Sequence, residues 1–102
     1  MPMTDWVEAD PGVRRRVLSE APDLMLVEFA FEAGAEGKLH RHVHVQGTYV
    51  AEGRFTFTLG DETHDLSQGD TLVIPSNVVH GCVAHGPGRL IDSFTPRRDD
   101  FL

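Results

Sequence analysis

The sequence predicts an all-β protein, an antiparallel sandwich or barrel of short strands. Three observations carry this. Apolar and polar residues alternate with a period of two along most of the chain. Glycine, proline and Asx residues interrupt the alternation at short, regular intervals. No stretch of about eleven residues or more holds a helical period.

Taken in order, "VRRRVLS" from Val13 to Ser19 is the first candidate strand. Alternation sends its arginines to opposite faces, so a solvated edge or an oligomer contact accounts for them better than a basic binding patch. "LMLVEFAFE" (24–32) sets Met25, Val27, Phe29 and Phe31 against Leu26, Glu28, Ala30 and Glu32. "AGAEGK" (33–38) reads as a glycine-rich loop. "TYVAEG" leads into "RFTFTLG", where Phe55, Phe57 and Leu59 share one face, and Gly60–Asp61 supplies a hairpin turn. "SQGD" (67–70) supplies another turn, and "TLVIP", "VVHGCVAH" and "LIDSFTP" complete the strands. This is one domain over residues 1–102, with an N-terminal strand arm over about 1–20 and a C-terminal tail over about 95–102.

The 102 residues are 40% hydrophobic and 25% charged, enough for a single core. A formal charge of −7 argues against a nucleic-acid partner, which calls for a clustered basic face. No apolar run approaches the roughly 20 residues needed to span a bilayer, and "MPMTDW" lacks the pattern of a secretory leader. Cys82 is the only cysteine, so no intrachain disulfide forms. Together these features predict a cytoplasmic address. A homodimer is expected, because small open β-structures expose strand edges that need covering, and "VRRRVLS" is a plausible partner strand for a second copy.

The chemistry-bearing residues are histidines. His40 and His42 stand two apart in "HRHVHVQG", so an extended strand would aim both imidazoles to one side. His80, in "IPSNVVHGCV", lies on a separate β-branched run and suits a ligand arriving from another strand. Neutral imidazole is the commonest metal ligand, and a site for a borderline divalent ion needs three or four such donors. Gln46 is a fourth candidate, weaker as a donor than a carboxylate. A continuous strand would hold the Cα atoms of His42 and Gln46 about 13 Å apart at roughly 3.3 Å per residue. Donors on one metal lie far closer, so ligation by Gln46 requires the chain to bend or reverse around Val43–Val45. His44 either lines the pocket or sits exposed in a turn. His64 and His85 read as surface residues, and Cys82 as a small buried hydrophobe sharing a face with His80.

At these residues the sequence resembles the cupins. Their first motif reads glycine, five residues, His-x-His, three or four residues, Glu, six residues, glycine; Gly34, His40, His42, Gln46 and Gly53 occupy those positions. The second reads glycine, five residues, Pro-x-Gly, two residues, His, three residues, Asn. Gly69, Pro75 and His80 fit it, while Asn77 replaces the glycine and Ala84 the final Asn. The resemblance implies an antiparallel double-stranded β-helix, a jelly-roll-like barrel with one divalent metal ion (Ni, Fe, Mn, Co or Zn) inside.

The glutamine at the usual glutamate position and the ending "IDSFTPRRDDFL", with Asp92, Phe94 and Arg98 spaced D-x-F-x-x-x-R, narrow the resemblance to small cupins of the pectin degradation protein KdgF family. That resemblance implies conversion of unsaturated or deoxy-keto uronates from the cyclic form to a linear ketone. His40, His42, Gln46 and His80 would be metal ligands, and Asp92, Phe94 and Arg98 active-site residues. Asp92 would shuttle a proton, Phe94 would wall the pocket, and Arg98 would clamp the carboxylate of a small anionic, carbohydrate-derived substrate bidentately. A carboxylate between apolar neighbours is costly to bury unpaired, and Arg98 is the expected partner of Asp92 if the pair is structural instead. The alternatives are another metal-dependent cupin enzyme, an oxygenase or isomerase of a small acid, and a non-enzymatic small-molecule binding module.

Overall fold

The computed structural model describes residues 2–102 and consists of ten antiparallel strands in two sheets. The strands are β1 (Val7–Asp10), β2 (Val13–Ala21), β3 (Leu24–Phe31), β4 (Glu36–His40), β5 (Val45–Glu52), β6 (Arg54–Leu59), β7 (Glu62–Ser67), β8 (Thr71–Ile74), β9 (His80–Ala84) and β10 (Gly88–Thr95), followed by a single 3-10 turn, Asp99–Phe101. One sheet has the order β1-β2-β3-β10-β5-β8 and the other β4-β9-β6-β7. The period-two alternation does what it predicts. The inward residues of β3, β5, β6 and β10 meet between the sheets, where Val13, Phe31, Val50, Phe55, Phe57, Leu66, Ile74 and Leu90 form one buried cluster and Val17, Met25, Val27 and Phe94 a second. Fully burying a side chain of this kind contributes about 1.5–3 kcal/mol.

Two strands differ from the sequence reading. β1 precedes the expected first strand and returns to it through Pro11 and Gly12, whose φ of +75° only glycine adopts readily. The run read as the loop 33–38 contains the start of β4 at Glu36. These additions change the strand edge. β2 lies between β1 and β3, and β1 pairs with Val13, Arg14 and Arg15, so that stretch of "VRRRVLS" is not a free edge. Its arginines do divide between the two faces. Arg14 and Arg16 extend over the ring of Trp6, at 5.1 and 4.3 Å from its centroid, and Arg16 also pairs with Glu28. Burial alone would push the Glu28 carboxyl up, but hydrogen bonds from Arg89 and Arg16 hold it below the ordinary range. Arg15 turns inward, at the position between the buried Val13 and Val17. Among the described residues, no helix is long and apolar enough to cross a membrane.

Candidate metal centre and pocket

His40 closes β4 and His80 opens β9, and the pairing of the two strands sets them directly opposite each other, with ring centroids 4.4 Å apart. His42 reaches the same point by a different route from the one expected. β4 ends at His40, so His42 is not its strand neighbour but part of the turn through Arg41–His44 that leads into β5. That turn is the reversal that Gln46 requires. It brings the His42 ring within 4.8 Å of His80 and its Nε2 within 3.0 Å of Gln46 Oε1. The turn is pinned from the second motif, because the backbone N–H of Asn77 donates to the His42 carbonyl at 2.8 Å. Asn77 stands where the motif has glycine and holds φ at +62°, a left-handed conformation that asparagine tolerates better than most side chains.

Each imidazole of this cluster is oriented by a backbone carbonyl two residues away. His40 Nδ1 lies 2.7 Å from the carbonyl of Lys38, His42 Nδ1 2.9 Å from that of His44, and His80 Nδ1 2.9 Å from that of Val78. A carbonyl only accepts, so each Nδ1 carries the proton and each Nε2 is left with a lone pair. One candidate ligand atom from each of the three rings lies within 4.8 Å of the others. His80 Nε2 is buried and has no hydrogen-bond partner. The amide of Gln46 is oriented as firmly: its Nε2 donates to Thr48 Oγ1 at 3.0 Å and to Asp92 Oδ2 at 3.2 Å, which turns Oε1 toward His42. Two acceptors, His42 Nε2 and Gln46 Oε1, then face each other at 3.0 Å. This contact repels unless a cation lies between the lone pairs, so the donor set fits a divalent metal ion. Burial first, then the nearby Arg98 and the other histidines, hold His42 below the ordinary imidazole range and His80 at about 4, so both are neutral at neutral pH.

Asp92 is buried beside this cluster, on β10 opposite Thr48. Burial pushes its carboxyl up to about 7, against the opposing pull of hydrogen bonds from Thr48 and Gln46. Its Oδ1 has no partner. The expected pairing with Arg98 does not occur. Arg98 Nε and Nη2 instead engage both oxygens of Asp100, at 3.0 and 2.8 Å. The bidentate fork assigned to substrate is therefore filled from within the chain, leaving Nη1. Phe94 is buried in the second core cluster, and its ring lies 5.6 Å from that of His42, centroid to centroid, at a steep angle. His44 is half-buried; its contribution to the site is the carbonyl that orients His42. Cys82 lines the pocket as an apolar group, its thiol pushed by burial up to about 12. The pocket is a cavity of about 260 Å³ between the sheets, reached by His40, Gln46, His80, Asp92, Phe94 and Arg98. Arg15 also lines it, where the sequence predicts a solvated edge or an oligomer contact. The available signal was its place between two valines destined for the core.

A family model described as the cupin domain matches residues 27–94. The pectin degradation protein KdgF of Dickeya dadantii (strain 3937) is 40% identical over 101 residues, covering 97% of this chain and 92% of that protein. Among solved structures, KdgF from a Halomonas species superposes with a TM-score of 0.92 at 44% identity, covering 97% of this chain and 92% of the other. An RmlC-like cupin from Shewanella frigidimarina NCIMB 400 gives the same TM-score at 38% identity, over 98% and 90% of the two chains. The glycines and histidines of both motifs, the two-sheet fold and these relatives agree: the chain belongs to the cupin family and, within it, to the KdgF proteins.

Proposed function

We propose that this chain is a metal-dependent enzyme that converts a cyclic unsaturated or deoxy-keto uronate into its linear ketone. The observation that carries this reading is the convergence of three imidazoles and an amide oxygen next to a buried carboxyl group that burial pushes up to about 7. His40, His42, His80 and Gln46 would hold one divalent ion, of Ni, Fe, Mn, Co or Zn. When bound, such an ion polarises a carbonyl or hydroxyl oxygen and attracts an anionic ligand, the more strongly because none of its four protein ligands is charged.

The remaining chemistry falls to side chains. Ring opening of the unsaturated uronate moves the proton of the hemiacetal hydroxyl to the alkene carbon and breaks the ring C–O bond at the hemiacetal carbon, which becomes an aldehyde. The ring oxygen stays on the former alkene carbon as the ketone, with no net change in electrons. Asp92, with its carboxyl near 7, both accepts and returns a proton at neutral pH, and its unpartnered Oδ1 is the atom free to do so. Gln46 and Thr48 hold Asp92 Oδ2 and its neighbourhood fixed while that happens. Phe94 and the core around it exclude bulk water, and the free Nη1 of Arg98 offers one donor group to the substrate carboxylate. A cavity of about 260 Å³ suits a single sugar acid rather than a polymer.

Asp92→Asn tests the reading. It keeps the shape and removes the proton acceptor, so metal content should be unchanged while turnover of an unsaturated uronate, followed by its ultraviolet absorbance, falls roughly 100-fold or more. Metal-loaded, folded wild-type protein that is inert toward every uronate tried would sink the enzyme and promote a binding module. Unchanged turnover in Asp92→Asn would leave the enzyme but remove Asp92 from its mechanism.

A further inference from the structure

Arg15 occupies a position that the alternation of β2 reserves for the core. Its neighbours on the same face, Val13 and Val17, are buried, and its register partner on β3 is Phe29. An arginine there normally has a carboxylate to offset its burial. Arg16, Arg89, Arg97 and Arg98 each have one within 4 Å; among the described residues, Arg15 has none. Asp10 and Asp100 attract it only from beyond that distance, and Arg98 repels it. Its guanidinium instead lies 4.1 Å from the centroid of Phe101, and that of Arg98 lies 4.2 Å from the same centroid, so the two cations are no more than about 8.3 Å apart. Both line the pocket.

We propose that Arg15 is the second cationic arm of the pocket, binding the carboxylate of the small sugar acid together with Arg98. This rests on the uronate reading above. Two observations lead to it independently of the metal ligands. Arg98 has committed Nε and Nη2 to Asp100 and keeps only part of its donor set, whereas among the described residues the Arg15 side chain has no hydrogen-bond partner. And the two guanidinium groups meet at one ring while only Arg98 has a carboxylate partner, Asp100, so an anion within reach of both offsets the charge left on Arg15. Phe101 packs against both guanidinium groups.

The test is a titration of the zinc-loaded protein with galacturonate, with glycolate as a minimal hydroxy acid and with the neutral sugar galactose. Arg15→Met should weaken both acids about 10- to 100-fold, the usual range for a lost charge-assisted hydrogen bond, while leaving galactose and zinc content unchanged. Arg15→Lys should recover part of the loss. Arg14→Met removes the same charge from the outer face and should change affinity by no more than about twofold. With turnover, Arg15→Met should raise KM far more than it lowers kcat. Equal galacturonate binding by wild type and Arg15→Met overturns the role of Arg15 and leaves the uronate reading standing. Glycolate bound by wild type, lost in Arg15→Met, with no galacturonate binding, keeps Arg15 as a carboxylate arm and overturns the uronate reading. Wild type that binds neither acid overturns both. Should Arg15→Met lose the near-ultraviolet dichroism of the fold, Arg15→Gln replaces it, with the same expected loss.

Discussion

The amide of Gln46 faces two ways, with Nε2 donating to Thr48 and Asp92 and Oε1 set 3.0 Å from His42 Nε2. A glutamate in its place would keep a metal-directed oxygen but reverse the other contact, putting a second acceptor against Asp92 where an N–H donor now stands. Three consequences follow for Gln46→Glu. A charged carboxylate binds a divalent cation at least as tightly, so metal affinity should hold or rise. The Asp92 carboxyl, now beside a like charge and without its donor, should be pushed further above its present value. And the anionic substrate, facing one more negative charge, should bind several-fold more weakly. Metal titration, the pH–rate profile and KM measure these separately. An unmoved pH–rate profile would show that the Gln46–Asp92 contact has no influence on the titrating group.

At the level of elements, the close approach of β4 and β9 aims two of the three histidines. Gly81, next to His80, makes that approach feasible: a Cβ there would stand 2.7 Å from the Gly37 carbonyl oxygen and 3.1 Å from the Leu39 nitrogen, both backbone atoms that cannot swing aside. Gly81→Ala must push β4 outward and carry His40 with it. We expect about 1–3 kcal/mol of lost stability in urea and metal affinity weakened about 10-fold or more. Unchanged metal affinity would mean that His40 is not aimed by β4. This element also marks where the sequence stops being legible. The strands β3, β6 and β10 were readable because they carry apolar side chains at every second position. β4 carries a glycine and a histidine where it meets the pocket, and its one large apolar residue, Leu39, is 63% exposed, so nothing alternates. The histidines are legible as a set through the motif spacing, but no continuous strand aligns His40 and His42, because β4 ends at His40. A turn, fixed by Asn77 from another part of the chain, cannot be seen in local periodicity. Arg98 was legible as a pocket residue; its capture by Asp100, two residues on, was not.

Across the whole molecule, the pocket sets two buried groups in opposition, and pH separates them. In metal-free protein His80 is held at about 4, below its ordinary 6.5, so the fold favours its neutral form; the stability this supplies is present above about 6.5 and is lost as pH falls toward 4. Asp92 is raised from 3.8 to about 7, so the fold favours its protonated form; that stability is present below about 3.8 and is lost as pH rises through 7. Between roughly pH 4 and 6.5 the two slopes have opposite signs and partly cancel. Glu28, held low by its two arginines, adds to the loss on the acid side only. Asp92→Asn removes the opposing slope. Chelated Asp92→Asn protein should therefore gain stability steadily as pH rises from about 4 to 6.5, and above pH 7 should exceed the wild type by up to about 4 kcal/mol. Urea denaturation across that range in the presence of a chelator reads both curves. A metal ion held by these histidines would add to the His80 slope, since it would bind only neutral imidazoles and be displaced by protons. Because His42 and His80 already sit below the ordinary range, protons compete weakly, and half-release of the metal should fall below pH 6.5 and be steeper than a single titration. Metal content measured after dialysis between pH 7.5 and about 4 decides this: a gradual loss centred above pH 6.5 would contradict the three-histidine site.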